Sequence, residues 1–192
     1  MTEFPDWLAS TLASDATEGR GVLPSWISPL KPDVQAIGPA FVALVGQDDN
    51  LSVREAIQAS PSPGSVLVVA GGSTSRTATI GGLMALEMQK AGIVALVTDG
   101  LVRDARDIRQ MQQFSVWCRG VTPAASYKRG PVVVGGSISI GGILIRDGDL
   151  VIADEDGVVI WPKEQIDVLL GKANAKLQED NARLAQLQQE MR

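Results

Sequence analysis

The stretch GIVALVTDGLVRD, residues 92–104, decides how this chain is interpreted. Its apolar, β-branched run, Ile93–Val97, is typical of a buried strand. The strand breaks at a glycine turn, and Arg103 and Asp104 follow almost at once. A carboxylate can hold a divalent metal and a guanidinium can grip an anionic oxygen, so the pair predicts a small anionic site. The alternative is a surface turn with one solvated ion pair.

An earlier segment predicts a partner for this strand. Val66–Ala70 indicates a strand, residues 71–75 form a glycine-rich turn, and a helix is predicted to run to about Lys90. A strand–helix–strand unit implies parallel pairing and a right-handed crossover. Because ligands bind beyond the carboxyl ends of parallel strands, residues 71–75 and the Arg103–Asp104 loop should open on the same edge.

The paired glycines Gly81 and Gly82 lie near the start of that helix. Free amides at a helix N-terminus bind carboxylate or phosphate, and glycine allows close approach. The pair alternatively permits tight packing of the helix on the sheet. With Arg103 and Asp104 nearby, we favour an anion-binding turn.

The rest of the chain predicts an α/β fold in a single domain, residues 1–192. Two β layers and one helical layer are expected. Residues 1–20 predict a helical start, and a long C-terminal helix, about 163–191, carries an apolar stripe that ends at Leu184, Leu187 and Met191. Other predicted elements are a helix at Ser52–Ala59 and strands at Ala40–Val45, Phe114–Cys118, Val132–Val134, Ile138–Ile145, Leu150–Ala153 and Gly157–Trp161.

Composition excludes several kinds of chemistry. The 192 residues include no histidine and one cysteine, so histidine-based nucleophilic triads, histidine/cysteine zinc sites and intrachain disulfides are absent. No lysine lies in an apolar context suited to a Schiff base, and no P-loop motif occurs. A net charge of −5 with dispersed cations argues against nucleic-acid binding. No signal peptide or membrane-spanning run is evident, so a cytoplasmic protein without membrane contact is expected.

A series of short motifs recurs along the chain in a characteristic order and spacing: Gly81–Ala85, Gly92, Asp99-Gly100, Val102-Arg103-Asp104, Gly141-Gly142, Gly148–Val151, Asp154, Asp156-Gly157-Val158 and Pro162. This series resembles the RraA-like superfamily, most strongly over residues 77–162 and in outline over about 15–190. That superfamily includes 4-hydroxy-4-methyl-2-oxoglutarate/4-carboxy-4-hydroxy-2-oxoadipate aldolases and regulators of RNase E activity. The resemblance implies a swivelling β/β/α fold and assembly into homotrimers or hexamers.

The resemblance also implies roles for individual residues. Asp104 would bind Mg²⁺ or Mn²⁺, largely through water, and Arg103 would contact the pyruvoyl group. The turn that would receive the substrate carboxylate consists of Gly81, Gly82, Leu83 and Met84. Two departures stand out: aldolases often carry an acidic residue at the position of Gly82, and Asp147 replaces a common proline. The missing acid puts proton transfer, and with it cleavage of large substrates, in doubt.

Three further acidic features have a structural and a functional interpretation. Asp99 either ligates metal or orders its own glycine turn, and we favour the turn. The segment 154–157 is either a metal loop or a solvated hairpin turn, and we favour the hairpin because the remaining ligands of a calcium loop are missing. Glu179 either enters a neighbouring subunit's site, as the resemblance implies, or is a solvent-facing helix charge.

Together these features predict a divalent-metal-dependent lyase that acts on small 2-oxo acids through a pyruvate enolate. Aldol cleavage of 4-hydroxy-4-methyl-2-oxoglutarate and decarboxylation of oxaloacetate both reach that enolate. The alternative is a non-catalytic regulator that binds a ribonuclease. Methyltransferase is a third label used in the superfamily, but no glycine-rich dinucleotide fingerprint supports it here.

Overall fold

The computed structural model describes residues 4–59 and 61–191. The strands are β1 Ser28–Pro29, β2 Ala36–Leu44, β3 Val66–Ala70, β4 Ala78–Ile80, β5 Ala95–Thr98, β6 Leu101–Val102, β7 Ser115–Cys118, β8 Gly120–Val121, β9 Val133–Val134, β10 Ser137–Ile140, β11 Ile143–Arg146, β12 Leu150–Ala153 and β13 Val158–Trp161. The α-helices are α1 Ser10–Ala16, α2 Leu51–Gln58, α3 Gly82–Lys90, α4 Ala105–Gln110 and α5 Ile166–Glu190, with one 3-10 turn, Lys163–Gln165, before α5.

Within these residues the main sheet has the order β1-β7-β5-β3-β2-β12-β13, with β9 also paired to β2. Strands β2, β3, β5 and β7 are parallel, and Leu67 of β3 lies opposite Leu96 of β5. The predicted parallel pairing of the two apolar runs is therefore confirmed. Strand β12 continues the sheet in the antiparallel sense, and it forms a hairpin with β13.

Side-chain alternation along the strands separates two faces of this curled sheet. Val66 and Val68 point to an inner face, which the β10–β11 hairpin covers with Ile138, Ile140 and Ile145. Leu67 and Val69 point to an outer face covered by α2, α3 and α4. Further along that outer face, α1 and α5 pack on β12 and β13. The predicted arrangement of two β layers and one helical layer is confirmed.

The segment between the glycine turn and Lys90 differs from the prediction. It was expected to be a single helix, but β4 forms first and pairs in parallel with β6, and α3 begins only at Gly82. The β-branched residues Thr79 and Ile80 favour this extended stretch. The extra strand matters because its end places the glycine pair directly beside Arg103 and Asp104.

Helix α5 is 25 residues long, and only its first half is packed. Leu169 and Ala173 are buried against α1 and the β12–β13 hairpin, while residues 181–191 are exposed. The stripe predicted from the sequence is thus buried at one end and open at the other. None of the described helices is both long and apolar enough to span a membrane.

Candidate active site

Two neighbouring strand ends place the predicted site residues together. Strands β4 and β6 run in parallel, and the amide of Arg103 donates to the carbonyl of Ile80 at 2.9 Å. Gly81 and Arg103 therefore leave the sheet side by side. Asp104 then adopts a left-handed conformation, with φ of 57°, which turns the chain into α4. Non-glycine residues rarely take this conformation, and such strain concentrates at functional sites.

The carboxylate of Asp104 does not cap its own helix, although aspartate commonly does so at this position. Its Oδ2 instead accepts from the amide of Gly82 at 3.0 Å and lies 3.8 Å from Nε of Arg103. The side chains of Arg103 and Asp104 are 42% and 45% exposed. Among the described residues no donor reaches Oδ1 of Asp104, so this oxygen has no hydrogen-bond partner there.

This contact corrects one expectation. The amide of Gly82 was predicted to be available to a ligand, but Asp104 occupies it. The amides of Leu83 and Met84, which follow in the first turn of α3, meet no acceptor among the described residues. The first amides of a helix are unsatisfied by geometry, so these two are available to a carboxylate.

The two glycines serve different purposes. A Cβ on Gly81 would lie 2.6 Å from Oδ2 of Asp104 and 2.9 Å from Nε of Arg103, so this position needs glycine for close approach. A Cβ on Gly82 would meet nothing closer than 3.4 Å, which is ordinary contact. It would point towards the carboxylate of Asp107, at 3.7 Å. An acidic residue at position 82 would thus stand between Asp104 and Asp107, where like charges repel.

Three residues that the sequence did not predict complete a cleft of about 420 Å³ around this pair. Arg54 comes from α2, Lys128 comes from the loop after β8, and Asn50 precedes α2. Arg54 and Lys128 are exposed and have no ion-pair partner within the described part of the chain. Glu87 is a second carboxylate in the lining. Three cations against two carboxylates make the cleft suited to an anion.

Asp49 and Asn50 lie just before α2, which carries Arg54, and they connect its start to the loop that carries Lys128 and to β4. Asn50 is buried, and its Nδ2 donates to the carbonyl of Thr79 at 3.0 Å. The carboxylate of Asp49 accepts from the amides of Arg129 at 2.6 Å and Gly130 at 3.0 Å. Burial raises the pKa of Asp49, but these amides outweigh burial and hold the pKa below its usual value. The loop bearing Lys128 is thereby fixed against α2.

Asp99 has a structural role, but not the expected one. Its two oxygens accept from the amides of Gly71, at 3.2 Å, and Gly72, at 2.7 Å, while Thr98 orders the turn at Gly100. It therefore orders the neighbouring glycine turn rather than its own. The Asp99 side chain is buried, and this burial raises its pKa despite the amide bonds. Because this carboxylate is buried and both of its oxygens already accept backbone amides, it is poorly placed to bind a ligand.

The other acidic candidates lie apart from the cleft. Asp154 is in the β12–β13 hairpin turn, as the hairpin interpretation predicted. Its carboxylate is not simply solvated, because it accepts from the amide of Ser10 at 2.6 Å. Glu179 is 75% exposed on α5 and lies 3.9 Å from Lys176. Over the described residues, no group of three or more histidine, cysteine, aspartate or glutamate side chains could enclose a metal ion.

A larger cleft, of about 790 Å³, lies at the opposite edge of the parallel strands, by Pro39, Gly64 and Ile166. Asp6 is the one charged side chain in its described lining, and no cation is there. Ligands of open α/β sheets bind at the carboxyl ends of the strands, where the smaller cleft is. The chemistry-bearing residues therefore belong to the cleft at Arg103 and Asp104.

Comparison with known proteins agrees with the fold. A family model described as RraA-like, Aldolase/RraA, matches residues 10–160. A protein of Halalkalibacterium halodurans, provisionally named 4-hydroxy-4-methyl-2-oxoglutarate aldolase, is 42% identical over 185 residues, which cover 95% of this chain and 86% of that protein.

Two solved structures of similar shape carry other functional names. Streptomyces coelicolor RraAS2, described as an unusual member of the RNase ES inhibitor RraA protein family, has a TM-score of 0.80 at 26% identity, covering 93% of both chains. A structure from Geobacillus kaustophilus, named S-adenosylmethionine:2-dimethylmenaquinone methyltransferase, has a TM-score of 0.74 at 28% identity, covering 83% of this chain and 98% of that one. The family match spans most of the chain and includes every residue of the Arg103–Asp104 site: this protein belongs to the RraA-like, Aldolase/RraA family.

Proposed function

We propose that this protein is a divalent-metal-dependent lyase that cleaves small 2-oxo acids through a pyruvate enolate. The observation that carries the proposal is the Arg103–Asp104 pair, in which a guanidinium and a carboxylate with one free oxygen meet the open amides of α3. The provisional name of the Halalkalibacterium halodurans relative supports 4-hydroxy-4-methyl-2-oxoglutarate as one substrate. Oxaloacetate is the second, because its decarboxylation yields the same enolate.

The donor set fits a hard cation that keeps most of its water. Asp104 offers one half-exposed carboxylate oxygen, and no cage of three ligating side chains exists among the described residues. Mg²⁺ commonly binds proteins through one or two carboxylates together with water and substrate oxygens, and Mn²⁺ takes similar ligands. Bound at Asp104, such a cation would supply positive charge where the enolate oxygen develops.

The remaining residues would orient the substrate. The free amides of Leu83 and Met84 are placed to receive its C1 carboxylate, and Arg103 is placed to hold the 2-oxo oxygen. Arg54 and Lys128 lie in the same cleft and would attract a second carboxylate. A dicarboxylic 2-oxo acid therefore matches the charges of the cleft better than a monocarboxylic one.

The two reactions place different demands on the site. In both, the C3–C4 bond breaks and its electron pair moves to C3, giving an enolate whose oxygen Arg103 stabilises; a proton then adds to C3 to form pyruvate. Aldol cleavage also requires removal of the C4 hydroxyl proton, whereas decarboxylation releases CO₂ without that step. Because Gly82 brings no carboxylate to the site, we expect decarboxylation to be less impaired than aldol cleavage.

The direct test is pyruvate release from oxaloacetate with Mg²⁺ or Mn²⁺, compared with the rate of the metal alone. Asp104→Ala should abolish the excess rate and leave the fold intact, since an exposed loop carboxylate contributes little to stability. Asp107→Ala is the matched control, because it removes an exposed carboxylate from outside the cleft lining. The proposal is contradicted if the native protein releases no pyruvate above the rate of the metal alone. It is also contradicted if Asp104→Ala and Asp107→Ala lose this excess rate equally.

The second candidate is a regulator that binds a ribonuclease, favoured by the likeness to RraAS2 and by a net charge of −5, which suits a basic partner. Metal-dependent pyruvate release separates the lyase from a regulator. The methyltransferase name would instead require measurable binding of S-adenosylmethionine, for which the chain shows no glycine-rich dinucleotide fingerprint.

We also propose that the protein works as a cytoplasmic homotrimer or hexamer with active sites near subunit boundaries. The open cleft and the exposed half of α5 support this proposal. Light scattering of dilute protein should give at least three times the chain mass of 20.3 kDa. A monomer of full activity would refute the shared site and any role for Glu179 in it.

A further inference from the structure

Besides Asp104, the described lining of the active-site cleft contains one further carboxylate, that of Glu87. Glu87 lies on α3, four positions after Leu83 and three after Met84, and all three residues line the cleft. Positions three and four apart share one face of a helix. Helical side chains lean towards the N-terminus and cover the turn before their own Cα, so Glu87 extends over the turn with the open amides.

Structural contacts do not explain why Glu87 is in the cleft. Within residues 4–59 and 61–191 its carboxylate has no hydrogen-bond donor and no ion-pair partner, although Lys90 lies three positions further along the same helix. Attraction of the substrate does not explain it either, because a negative charge near Arg54 and Lys128 weakens the field that draws in an anion. A carboxylate without a partner in such a cleft is suited to accept a proton from the bound substrate.

Aldol cleavage needs a proton acceptor that the rest of the described cleft does not supply. The C4 hydroxyl must lose its proton as the C3–C4 bond breaks, and Gly82 brings no carboxylate. Asp104 is the proposed ligand of the cation. The remaining charged residues of the lining are Arg54, Arg103 and Lys128, which as cations donate hydrogen bonds and have no lone pair for a proton.

We propose that Glu87 is the general base of aldol cleavage, an inference that rests on the lyase function proposed above and adds a catalytic residue to it. The C1 carboxylate of a 4-hydroxy-2-oxo diacid would lie at the amides of Leu83 and Met84. The second carboxylate would be drawn to Arg54 and Lys128 in the outer cleft. C4 and its hydroxyl would then lie between the two carboxylates, over the face of α3 that carries Glu87.

The step balances without a further reactant. Glu87 takes the proton of the C4 hydroxyl, and the electron pair of that O–H bond forms the C4 carbonyl. The C3–C4 bond breaks and its electron pair passes to the enolate, whose oxygen Arg103 holds. From 4-hydroxy-4-methyl-2-oxoglutarate the C4 fragment leaves as pyruvate, and the enolate takes a proton from water to give a second pyruvate. Glu87 then returns its proton to water.

The test compares two reactions of the full-length protein in the presence of Mg²⁺: pyruvate release from 4-hydroxy-4-methyl-2-oxoglutarate and from oxaloacetate. Glu87→Gln keeps the size of the side chain but removes the proton acceptor. Because a general base contributes on the order of 10²-fold, kcat for aldol cleavage should fall by about that factor, and kcat for decarboxylation by less than about threefold. KM should not rise for either substrate, since loss of a negative charge strengthens the attraction of an anion.

Glu55→Gln is the matched control. It removes a carboxylate from the neighbouring helix α2, and Glu55 does not belong to the described lining of the cleft. Both reactions of this variant should match those of the native protein. A loss of aldol cleavage in Glu87→Gln alone would therefore come from the position of the carboxylate rather than from a change in net charge.

Chemical rescue gives a readout that a structural role would not move. Glu87→Ala retains a residue that favours the helix and leaves space for a small carboxylate. Added formate should restore its aldol cleavage in a saturable way, by at least about tenfold, because formate supplies the missing base. Formate should have no such effect on Glu87→Gln, whose side chain still fills the space.

The outcomes separate the role of Glu87 from the lyase function itself. Equal losses of both reactions in Glu87→Gln, full aldol cleavage in that variant, or failure of formate to rescue Glu87→Ala would each overturn the role of Glu87. A native protein that decarboxylates oxaloacetate without aldol cleavage would also overturn it. In all of these cases excess pyruvate from oxaloacetate still supports the lyase function, whereas a native protein inactive on both substrates overturns both proposals.

Discussion

The substitution Gly81→Ala should inactivate the site while leaving the fold in place. The added methyl group would lie 2.6 Å from Oδ2 of Asp104 and 2.9 Å from Nε of Arg103. Ordinary contacts need about 3.4 Å, so the carboxylate must move by roughly 0.8 Å, and a misplacement of about 1 Å costs on the order of 10²-fold in rate. We expect kcat/KM for oxaloacetate to fall by about 10- to 100-fold.

The stability of Gly81→Ala should change little, for two opposing reasons. Gly81 has φ of −128° and ψ of −175°, an extended conformation that alanine adopts without strain. Loss of the hydrogen bond from Gly82 to Asp104 costs about 1 kcal/mol, while the lower entropy of the unfolded chain stabilises by about 0.4–1 kcal/mol. Urea unfolding should therefore give a free energy within about 1 kcal/mol of the native protein.

Gly82→Ala is the matched control for this prediction. Its methyl group meets nothing closer than 3.4 Å, and alanine is favoured over glycine in the first turn of a helix. Pyruvate release by this variant should stay within about twofold of the native rate, since the amide that Asp104 accepts is retained. Equal losses in the two variants, or full activity of Gly81→Ala, would refute the argument that close approach at Gly81 positions the pair.

Three further predictions follow from single side chains. Arg103→Lys keeps the positive charge but loses the planar guanidinium that can donate two parallel hydrogen bonds, so steady-state assays should show at least about a tenfold loss of kcat/KM. Full activity of this variant would mean that Arg103 contributes only its positive charge. The pKa of Asp99 is raised by burial, so the folded chain binds this proton more tightly than the unfolded chain does. The resulting contribution to stability is present below the ordinary pKa of 3.8 and is lost as pH rises through the raised pKa. Urea midpoints measured across that range should fall less steeply with pH for Asp99→Asn than for the native protein, and an equal slope would contradict the assignment. Burial raises the pKa of the Cys118 thiol, so a thiol reagent should modify it only at the rate of unfolding; rapid modification of the native protein would contradict this.

The predictable part of the fold is the part with strong local patterns. The run Val66–Ala70 is apolar, β-branched and bounded by glycine, and its strand ends at the predicted residues. Strand β4 was missed because three residues leave too short a pattern, and its pairing with β6 depends on residues more than twenty positions away. Helix α5 was predicted nearly to its end, because its stripe repeats over many turns.

The site was predictable only where its residues are adjacent in sequence. Arg103 and Asp104 lie together in the chain, so their pairing is local. Arg54 and Lys128 join them only because α2 and the loop after β8 are fixed to one another by the carboxylate of Asp49. No local pattern marks such residues. A turn rich in aspartate before α2 was the available signal that a loop is held there by backbone amides.

The acidic residues of the loops differ in how many backbone amides their carboxylate oxygens accept. In a chain without histidine, buried or half-buried carboxylates hold the loops by accepting backbone amides. Six aspartates each accept at least two amides, namely Asp48, Asp49, Asp99, Asp147, Asp149 and Asp154.

Asp104 differs from all six because it accepts one amide only and lies 3.8 Å from a guanidinium, although Asp48 shares its positive φ and also has one oxygen that no described donor reaches. The backbone φ of 57° at Asp104 is strained for a residue with a Cβ, and proteins retain such strain chiefly where it serves a function. Its guanidinium neighbour and its place in the cleft, together with the single amide it accepts, thus favour Asp104 as the carboxylate that a metal or substrate would use.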